Sequence, residues 1–143
     1  MARIDYNTQT NIIAKSEYFS DFLSSLDKSP LSNDLAKIKD ENSVKQSVRN
    51  LVLTGLGERL FQPTVGGNIR RMLFEPLNGF TADDIKKDIL NTIRHNEPRV
   101  SLSNLVVTVI PNHDQNSILV NILFSIVNDP KQITLSIVLQ RVR

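Results

Sequence analysis

The sequence contains no cysteine, and no apolar run in it approaches the roughly 20 residues that a transmembrane helix needs. The absence of cysteine excludes disulfide bonds, thiolate chemistry and zinc sites built on thiolates. Residues 1–6 lack the apolar centre of a secretory signal peptide. We therefore expect a protein that is made in a cytoplasm and stays there, or in a particle assembled there, with no membrane partner.

An excess of charge of one sign is also absent, because 17 basic and 15 acidic side chains leave a net charge of only +2 over 143 residues. That balance does not demand a nucleic-acid partner. The basic pair Arg70 and Arg71 has no interleaved aromatic residues, so we interpret it as solvated surface. The composition is that of an ordinary globular protein, and the length suits one domain. We place this domain at residues 40–143, and it follows an N-terminal arm of residues 1–39.

The clearest secondary-structure signal is a helix that ends by about Asn96. Thr81 is a candidate N-cap, and Asp84 can bond back toward it in a weak capping box. Pro98 cannot continue the helix and biases the residue before it away from helical angles. Apolar residues recur every four positions, at Ile85, Ile89 and Ile93. This helix therefore has one face suited to a core.

The other helical signals are weaker. Residues 1–39 have mixed patterning, which we interpret as an extended arm with at most one short helix. A helix capped by Asn42 or Ser43 carries an apolar face and ends near Gly55. A loop rich in glycine and proline follows over residues 55–68, and a short helix comes next.

The last third of the chain is rich in β-branched residues. Three strands are predicted, at residues 105–110, 118–127 and 132–141. The second strand is apolar on both faces, which indicates a central position. Short polar turns between sequential strands favour an antiparallel meander. The prediction is an α+β fold, in which a small antiparallel sheet packs against helices.

Alternation in the last predicted strand turns four apolar side chains inward, at Ile133, Leu135, Ile137 and Leu139. The centre of this strand has neither proline nor charge, so its backbone edge is open to a strand from another chain. An edge covered by the N-terminal arm fits the same pattern equally well.

Residues with the spacing of a catalytic or metal site are hard to find. His95 and His113 are the only histidines, and neither has a second histidine at ligand spacing. No serine lies in a G-x-S-x-G elbow. Gly55 and Gly57 begin like a dinucleotide fingerprint, but they follow a helix and lack the third glycine. We therefore expect no catalytic residue, no metal and no cofactor.

Glu97, Pro98 and Arg99 differ from these weak signals, because a rigid proline holds two opposite charges at a stiff corner between helix and sheet. The planar guanidinium of arginine suits paired hydrogen bonds to a carboxylate or to carbonyl groups. The simpler interpretation is a helix stop with a local ion pair, and the residues alone favour it.

The order of the segments resembles a known family. The segments are residues 43–54, 57–63, 65–70 and 73–76, then a helix start at 81–83, Glu97-Pro98-Arg99, and residues 107–111. Over residues 40–139 this order is similar to the baseplate wedge proteins of contractile-tailed phages. That family includes the T-even sheath initiators, once labelled lysozyme-like, and is similar to baseplate component E of type VI secretion systems.

The resemblance implies a structural, non-enzymatic protein of the virion tail baseplate, assembled in the host cytoplasm. It implies six copies, one in each wedge around the tail tube. Glu97, Pro98 and Arg99 carry over onto the corner that docks on the helical core bundle of the wedge. The resemblance also implies that the final strand templates the first ring of sheath protein by exchanging or accepting β-strands. That strand contains Ile133, Leu135, Ile137 and Leu139.

The alternative function is a lysozyme-type peptidoglycan hydrolase of a phage tail, as the old family label suggests. It would need two catalytic acids in one cleft. A nucleic-acid binder is a third possibility, and neither alternative has a dedicated motif in the sequence.

Overall fold

A computed structural model of the chain describes residues 19–31, 33–76, 78–112 and 114–140. The first part of the predicted arm (residues 1–18), His113 and the last three residues of the chain lie outside the described residues.

The described residues form two short strands, three helices and three longer strands. In chain order these are β1 (Ser20–Phe22), β2 (Lys37–Lys39), α1 (Asp40–Leu53), α2 (Ile69–Met72), α3 (Gly79–Asn96), β3 (Val100–Asn112), β4 (Ser117–Ile126) and β5 (Asp129–Gln140). β1 and β2 pair antiparallel, and the other three strands form an antiparallel sheet in the order β3-β4-β5. The predicted α+β class and the C-terminal meander are confirmed.

The core lies between one face of the three-stranded sheet and the helices. β4 is the central strand, as predicted, and Val120 stands opposite Val109 of β3 and Ile137 of β5. Buried side chains of α3 share one core with inward residues of all three strands. The α3 residues are the predicted stripe, Ile85, Ile89 and Ile93, all without exposed surface. Each buried isoleucine contributes about 1.5–3 kcal/mol relative to an exposed one.

The predicted start of α3 is wrong by three residues, because Asn78 and not Thr81 caps the helix. The Asn78 Oδ1 atom accepts a hydrogen bond from the Thr81 amide at 2.9 Å. Thr81 lies within the first turn, and its hydroxyl donates to the Pro76 carbonyl at 2.7 Å. Asp84 is therefore too far along the helix to form a capping box. Its Oδ1 atom lies 3.6 Å from Nζ of Lys87 instead. Both asparagine and threonine are good caps, and the turn after Pro76 selects the asparagine.

The region before α1 also differs from the prediction. The described part of the arm contains no helix, and its two strands lead directly into α1, which begins at Asp40 rather than at Asn42 or Ser43. The Asp40 amide donates to the Phe19 carbonyl at 2.7 Å, so pairing with the arm determines where the helix begins. The boundary between arm and domain at residues 39 and 40 stays a prediction.

Candidate docking site

The corner formed by residues 97–99 joins α3 to β3, as predicted. The Glu97 amide donates to the Ile93 carbonyl at 2.9 Å and so completes the last turn of the helix. The Val100 amide then donates back to the Glu97 carbonyl at 3.3 Å, which closes a tight turn with Pro98 exposed on it. Since the Val127 amide also donates to the Arg99 carbonyl at 2.9 Å, the corner is fastened to the end of β4.

The carboxylate of Glu97 is buried inside this corner, with only 3% of the residue exposed. Arg99 donates to it twice, from Nε to Oε1 at 2.7 Å and from Nη2 to Oε2 at 2.9 Å. The hydroxyl of Ser47, on α1, donates to the same Oε2 at 2.5 Å. Glu97 therefore uses both of its oxygens within its own chain.

The protonation of the pair follows from these contacts. Burial raises the pKa of the Glu97 carboxyl, but the hydrogen bonds from Arg99 and Ser47 and the charge of Arg99 outweigh burial. The pKa therefore lies below its usual value, and the group is ionised. The hydrogen bonds to Glu97 likewise raise the pKa of Arg99 against the opposing effect of burial. The corner holds a stable ion pair.

Arg99 is the member of the pair that faces outward, with 27% of its side chain exposed. The ring of Phe19 lies under the guanidinium, 5.7 Å from its central carbon to the ring centroid. All hydrogen bonds of this side chain in the described part of the molecule go to Glu97 through Nε and Nη2. The Nη1 donors are directed away from that carboxylate, and they can bind an acceptor on another protein.

The sequence pattern identified Glu97, Pro98 and Arg99 as the corner. It did not identify Ser47 or Phe19 as residues that contact this corner. Ser47 lies 50 positions from Glu97 along the chain, and Phe19 is even farther from Arg99. No local pattern marks either residue, because their roles depend on how α1 and the arm pack beside the end of α3.

The structure gives the four apolar residues predicted on the last strand a role in the core. Ile133, Ile137 and Leu139 are buried there, and Leu135 is half-buried against it. Within the described residues β5 pairs only with β4, so its other edge carries no strand. What β5 can offer a partner is therefore this backbone edge, together with the exposed face that carries Thr134 and Val138.

Other kinds of site find little support in the described part of the chain. It contains no group of three or more acidic or histidine side chains placed to hold a metal ion. None of its helices is long and apolar enough to cross a membrane. Glu97 is its one buried charged residue, so the described residues offer no second buried acid as a catalytic partner.

Comparison with known families gives one extended match. Residues 39–131 match the family model described as Baseplate wedge protein gp25. The chain is also 33% identical over 100 residues to the protein named Baseplate wedge protein gp25 of Enterobacteria phage T4. That alignment covers 70% of this chain and 74% of the phage protein.

Three solved structures have a similar fold. A Geobacter sulfurreducens protein described as a "putative tail lysozyme" has a TM-score of 0.63 and 23% identity, over 71% of this chain and 91% of its own. A chain of the anti-feeding prophage baseplate has a TM-score of 0.60 and 21% identity, over 87% of each chain. A chain of the type VI secretion baseplate complex has a TM-score of 0.55 and 14% identity, over 70% of this chain and 93% of that one.

Proposed function

We propose that this chain, which belongs to the baseplate wedge protein gp25 family, has two binding surfaces. The corner of residues 97–99 docks on other wedge proteins. β5 starts the assembly of the tail sheath. Membership of the family makes the chain a component of the virion tail baseplate. The proposal adds a partner at each surface, the helical core bundle of the wedge at the corner and the sheath protein at β5. It also includes assembly in the host cytoplasm, a position near the tail tube and six copies per baseplate. The six-fold symmetrised baseplate of the anti-feeding prophage supports that number.

The observation that carries the docking proposal is the fixed position of Arg99. The side chain donates two hydrogen bonds to Glu97, has a ring beneath its guanidinium and follows a proline, and these constraints leave it little freedom. A group held in its binding geometry loses less conformational entropy when a partner arrives. Arginine is also among the residue types that contribute most to binding at interface centres. In this arrangement Glu97 and Ser47 position the arginine, and Arg99 contacts the partner.

The proposal for β5 is supported by its position at the edge of the sheet. Its inward side chains already belong to the core, so a sheath strand would add by backbone hydrogen bonds along the outer edge. Its exposed face has no charged side chain between Gln132 and Gln140 that would discourage pairing.

A peptidoglycan hydrolase receives no support from the one buried acid. A general acid for glycoside cleavage needs a carboxyl group with a raised pKa, whereas the pKa of Glu97 is lowered. Its two oxygens are also occupied by Arg99 and Ser47. The name of the Geobacter protein alone does not change this, so we propose that the chain is not an enzyme.

The docking proposal can be tested with a double variant, Glu97→Gln with Arg99→Ala. Arg99→Ala alone would leave a buried, poorly compensated carboxylate, which costs about 3–5 kcal/mol and confuses misfolding with failed docking. Glu97→Gln removes that charge, and the amide oxygen can still accept from Ser47. We expect the double variant to fold but to be missing from baseplates purified from the particle, as counted by electron microscopy and mass spectrometry.

The single variant Glu97→Gln is the matched control, since it has the same glutamine at position 97 as the double variant but keeps Arg99. We expect it to enter baseplates, at reduced yield because Arg99 is less firmly held. Circular dichroism and urea unfolding verify that both variants are folded. Normal baseplates containing the double variant would exclude the corner as a docking site.

A further inference from the structure

The loop of residues 55–67 exposes two large apolar side chains that no element of the described chain covers. Phe61 is 97% exposed and Leu60 is 90% exposed, and they are adjacent at the loop tip. Single exposed apolar residues are common on protein surfaces and need no explanation. Two fully exposed neighbours of this size on one projecting loop are a different case, because they expose about 300 Å² of apolar surface together.

The loop is closed by its own hydrogen bonds, so the tip is held in place. The Gly67 amide donates to the Thr54 carbonyl at 3.0 Å, and the Leu56 amide donates to the Gly67 carbonyl at 3.2 Å. Higher in the loop, the Gly57 amide donates to the Pro63 carbonyl at 2.9 Å. These bonds close the loop at its base and again just below the tip.

The base of the loop packs closely against α1 and α3. Gly66 has φ +120°, and a Cβ atom there would lie 2.5 Å from the Thr54 carbonyl oxygen. A Cβ atom on Gly67 would lie 2.5 Å from the Asp88 carboxylate, which also accepts from the Asn68 amide at 2.8 Å. Glycine is therefore required at position 66, where the loop meets the end of α1, whereas the atom nearest to a Cβ at position 67 belongs to a side chain that can move.

The loop borders a cleft that extends to Asn96 at the end of α3, next to the corner of residues 97–99. This cleft has a volume of about 420 Å³, with Ser47 on one side, Arg59 and Gln62 of the loop on another, and His95 at the end of α3. Ser47 is also the residue that bonds Glu97. A partner that covers this cleft would therefore contact the loop and lie beside the corner.

We infer that the loop tip, Leu60 and Phe61, is a second docking point for the wedge protein that binds the corner, inserting into an apolar pocket on that partner. This inference rests on the proposed function for the identity of the partner. The tip is convex, so it fits a concave apolar site such as the groove between two helices. Its area is well below the roughly 800 Å² per partner of a stable interface, so it acts together with the corner.

The charges of the loop indicate the chemistry around that pocket. Glu58 is paired with Arg70, from Oε1 to Nη1 at 3.0 Å. Arg59, next to the tip, has no ion pair with any described residue. The unpaired charge beside Leu60 and Phe61 is therefore positive, and a carboxylate at the rim of the partner's pocket complements it.

Competition between two chains during assembly tests the inference without prior isolation of the partner. Wild-type chain and Phe61→Ser chain are produced together in equal amounts, and their ratio is measured by mass spectrometry in purified baseplates. We expect Phe61→Ser to be depleted at least about tenfold, the loss typical of a central interface residue. Its unfolding midpoint should equal that of the wild type, because the side chain makes no core contact.

Phe80→Ser is the matched control. Phe80 is 83% exposed but lies in the first turn of α3, about 22 Å from His95 at the other end of that helix. We expect this variant to be incorporated into baseplates at the wild-type level. Equal depletion of both variants would show a general effect of surface composition and would overturn the inference.

A photo-reactive residue identifies the occupant of the loop tip. Phe61→p-benzoylphenylalanine is introduced into the full chain, and assembled baseplates are irradiated and analysed by mass spectrometry. A cross-link to a helical wedge protein supports the inference. A cross-link only to a second copy of this chain or to the sheath protein overturns it, as does incorporation of Phe61→Ser at the wild-type level.

The two docking proposals fail in different ways. Depletion of Phe61→Ser, together with normal incorporation of the Glu97→Gln and Arg99→Ala double variant, supports the loop tip and refutes the corner. The reverse result supports the corner and refutes the loop tip.

Discussion

Ser47 on α1 donates a 2.5 Å hydrogen bond to Oε2 of Glu97, across 50 positions of the chain. This contact connects the first helix to the corner that ends the third. It also supplies the buried carboxylate with a donor besides Arg99. The Glu97 carboxylate is therefore held from two separate parts of the structure, by Arg99 of the corner itself and by Ser47 of α1.

Ser47→Ala should destabilise the protein by about 1.5–3 kcal/mol, the usual contribution of a hydrogen bond to a charged group. Ser43→Ala is the control, because Ser43 is a fully buried serine of the same helix whose hydroxyl has no partner among the described residues. Its replacement should be neutral or slightly stabilising. Urea unfolding measures both, and equal effects of the two variants would contradict the role of Ser47.

Gly66→Ala should destabilise the protein by about 3 kcal/mol, since it combines backbone strain at φ +120° with a clash against Thr54. Gly79→Ala is the opposite case, because a Cβ atom there meets nothing within 4 Å and the residue begins α3. It should be neutral or stabilise the protein by up to about 1 kcal/mol. Thermal unfolding distinguishes the two, and a tolerated Gly66→Ala would mean that the base of the loop is not closely packed.

Lysine substitutions on β5 should block growth of the sheath while leaving the baseplate intact. Thr134→Lys with Val138→Lys places charge on the exposed face of this edge strand without touching the core. We expect particles with complete baseplates and no sheath, as seen by electron microscopy. Deleting the whole strand is a poorer test, because Ile133, Ile137 and Leu139 belong to the core.

The opposite edge of the sheet supplies the control for this prediction. Val106 and Ile110 of β3 are exposed and lie in the same cross-strand rows as Thr134 and Val138. Val106→Lys with Ile110→Lys should leave the sheath normal. If instead only the β3 variant stopped sheath growth, the edge assigned to the sheath would be the wrong one.

Stability should fall as pH decreases below 4.5, in part through Glu41 of α1. Hydrogen bonds from Lys131 at 2.7 Å and Lys45 at 2.8 Å lower the pKa of Glu41 from 4.5 to about 2, against an opposing effect of burial. Because the folded pKa is the lower one, this stabilisation is complete above 4.5 and is lost as pH falls toward about 2. Salt screening at this partly exposed site keeps the effect small.

Glu41→Gln should therefore flatten the acid limb of the stability curve, measured by urea unfolding between about pH 6 and about pH 2.5. Some slope should remain, because the lowered pKa of Glu97 contributes in the same direction. Glu75→Gln, an exposed carboxylate with no ion pair among the described residues, should leave the curve unchanged. If the Glu41→Gln curve kept the wild-type slope, the ion pairs of Glu41 would not contribute to the loss of stability at low pH.

Local pattern was sufficient for much of the fold. The four-residue spacing of Ile85, Ile89 and Ile93 identified the core face of α3, and Pro98 located its end. Branched residues and polar turns identified the meander and its central strand. Such predictions succeed because hydrophobic periodicity and the geometry of proline act over a few residues.

The sequence by itself also placed the corner between helix and sheet, but only the tertiary structure decided what its residues do. It turned Glu97 inward, left Arg99 as the outward member and brought in Ser47 and Phe19 from distant parts of the chain. It also assigned the cap of α3 to Asn78 and left Phe61 uncovered. These outcomes depend on which surfaces meet when helices, loop and sheet pack together, and no periodicity in the sequence encodes that.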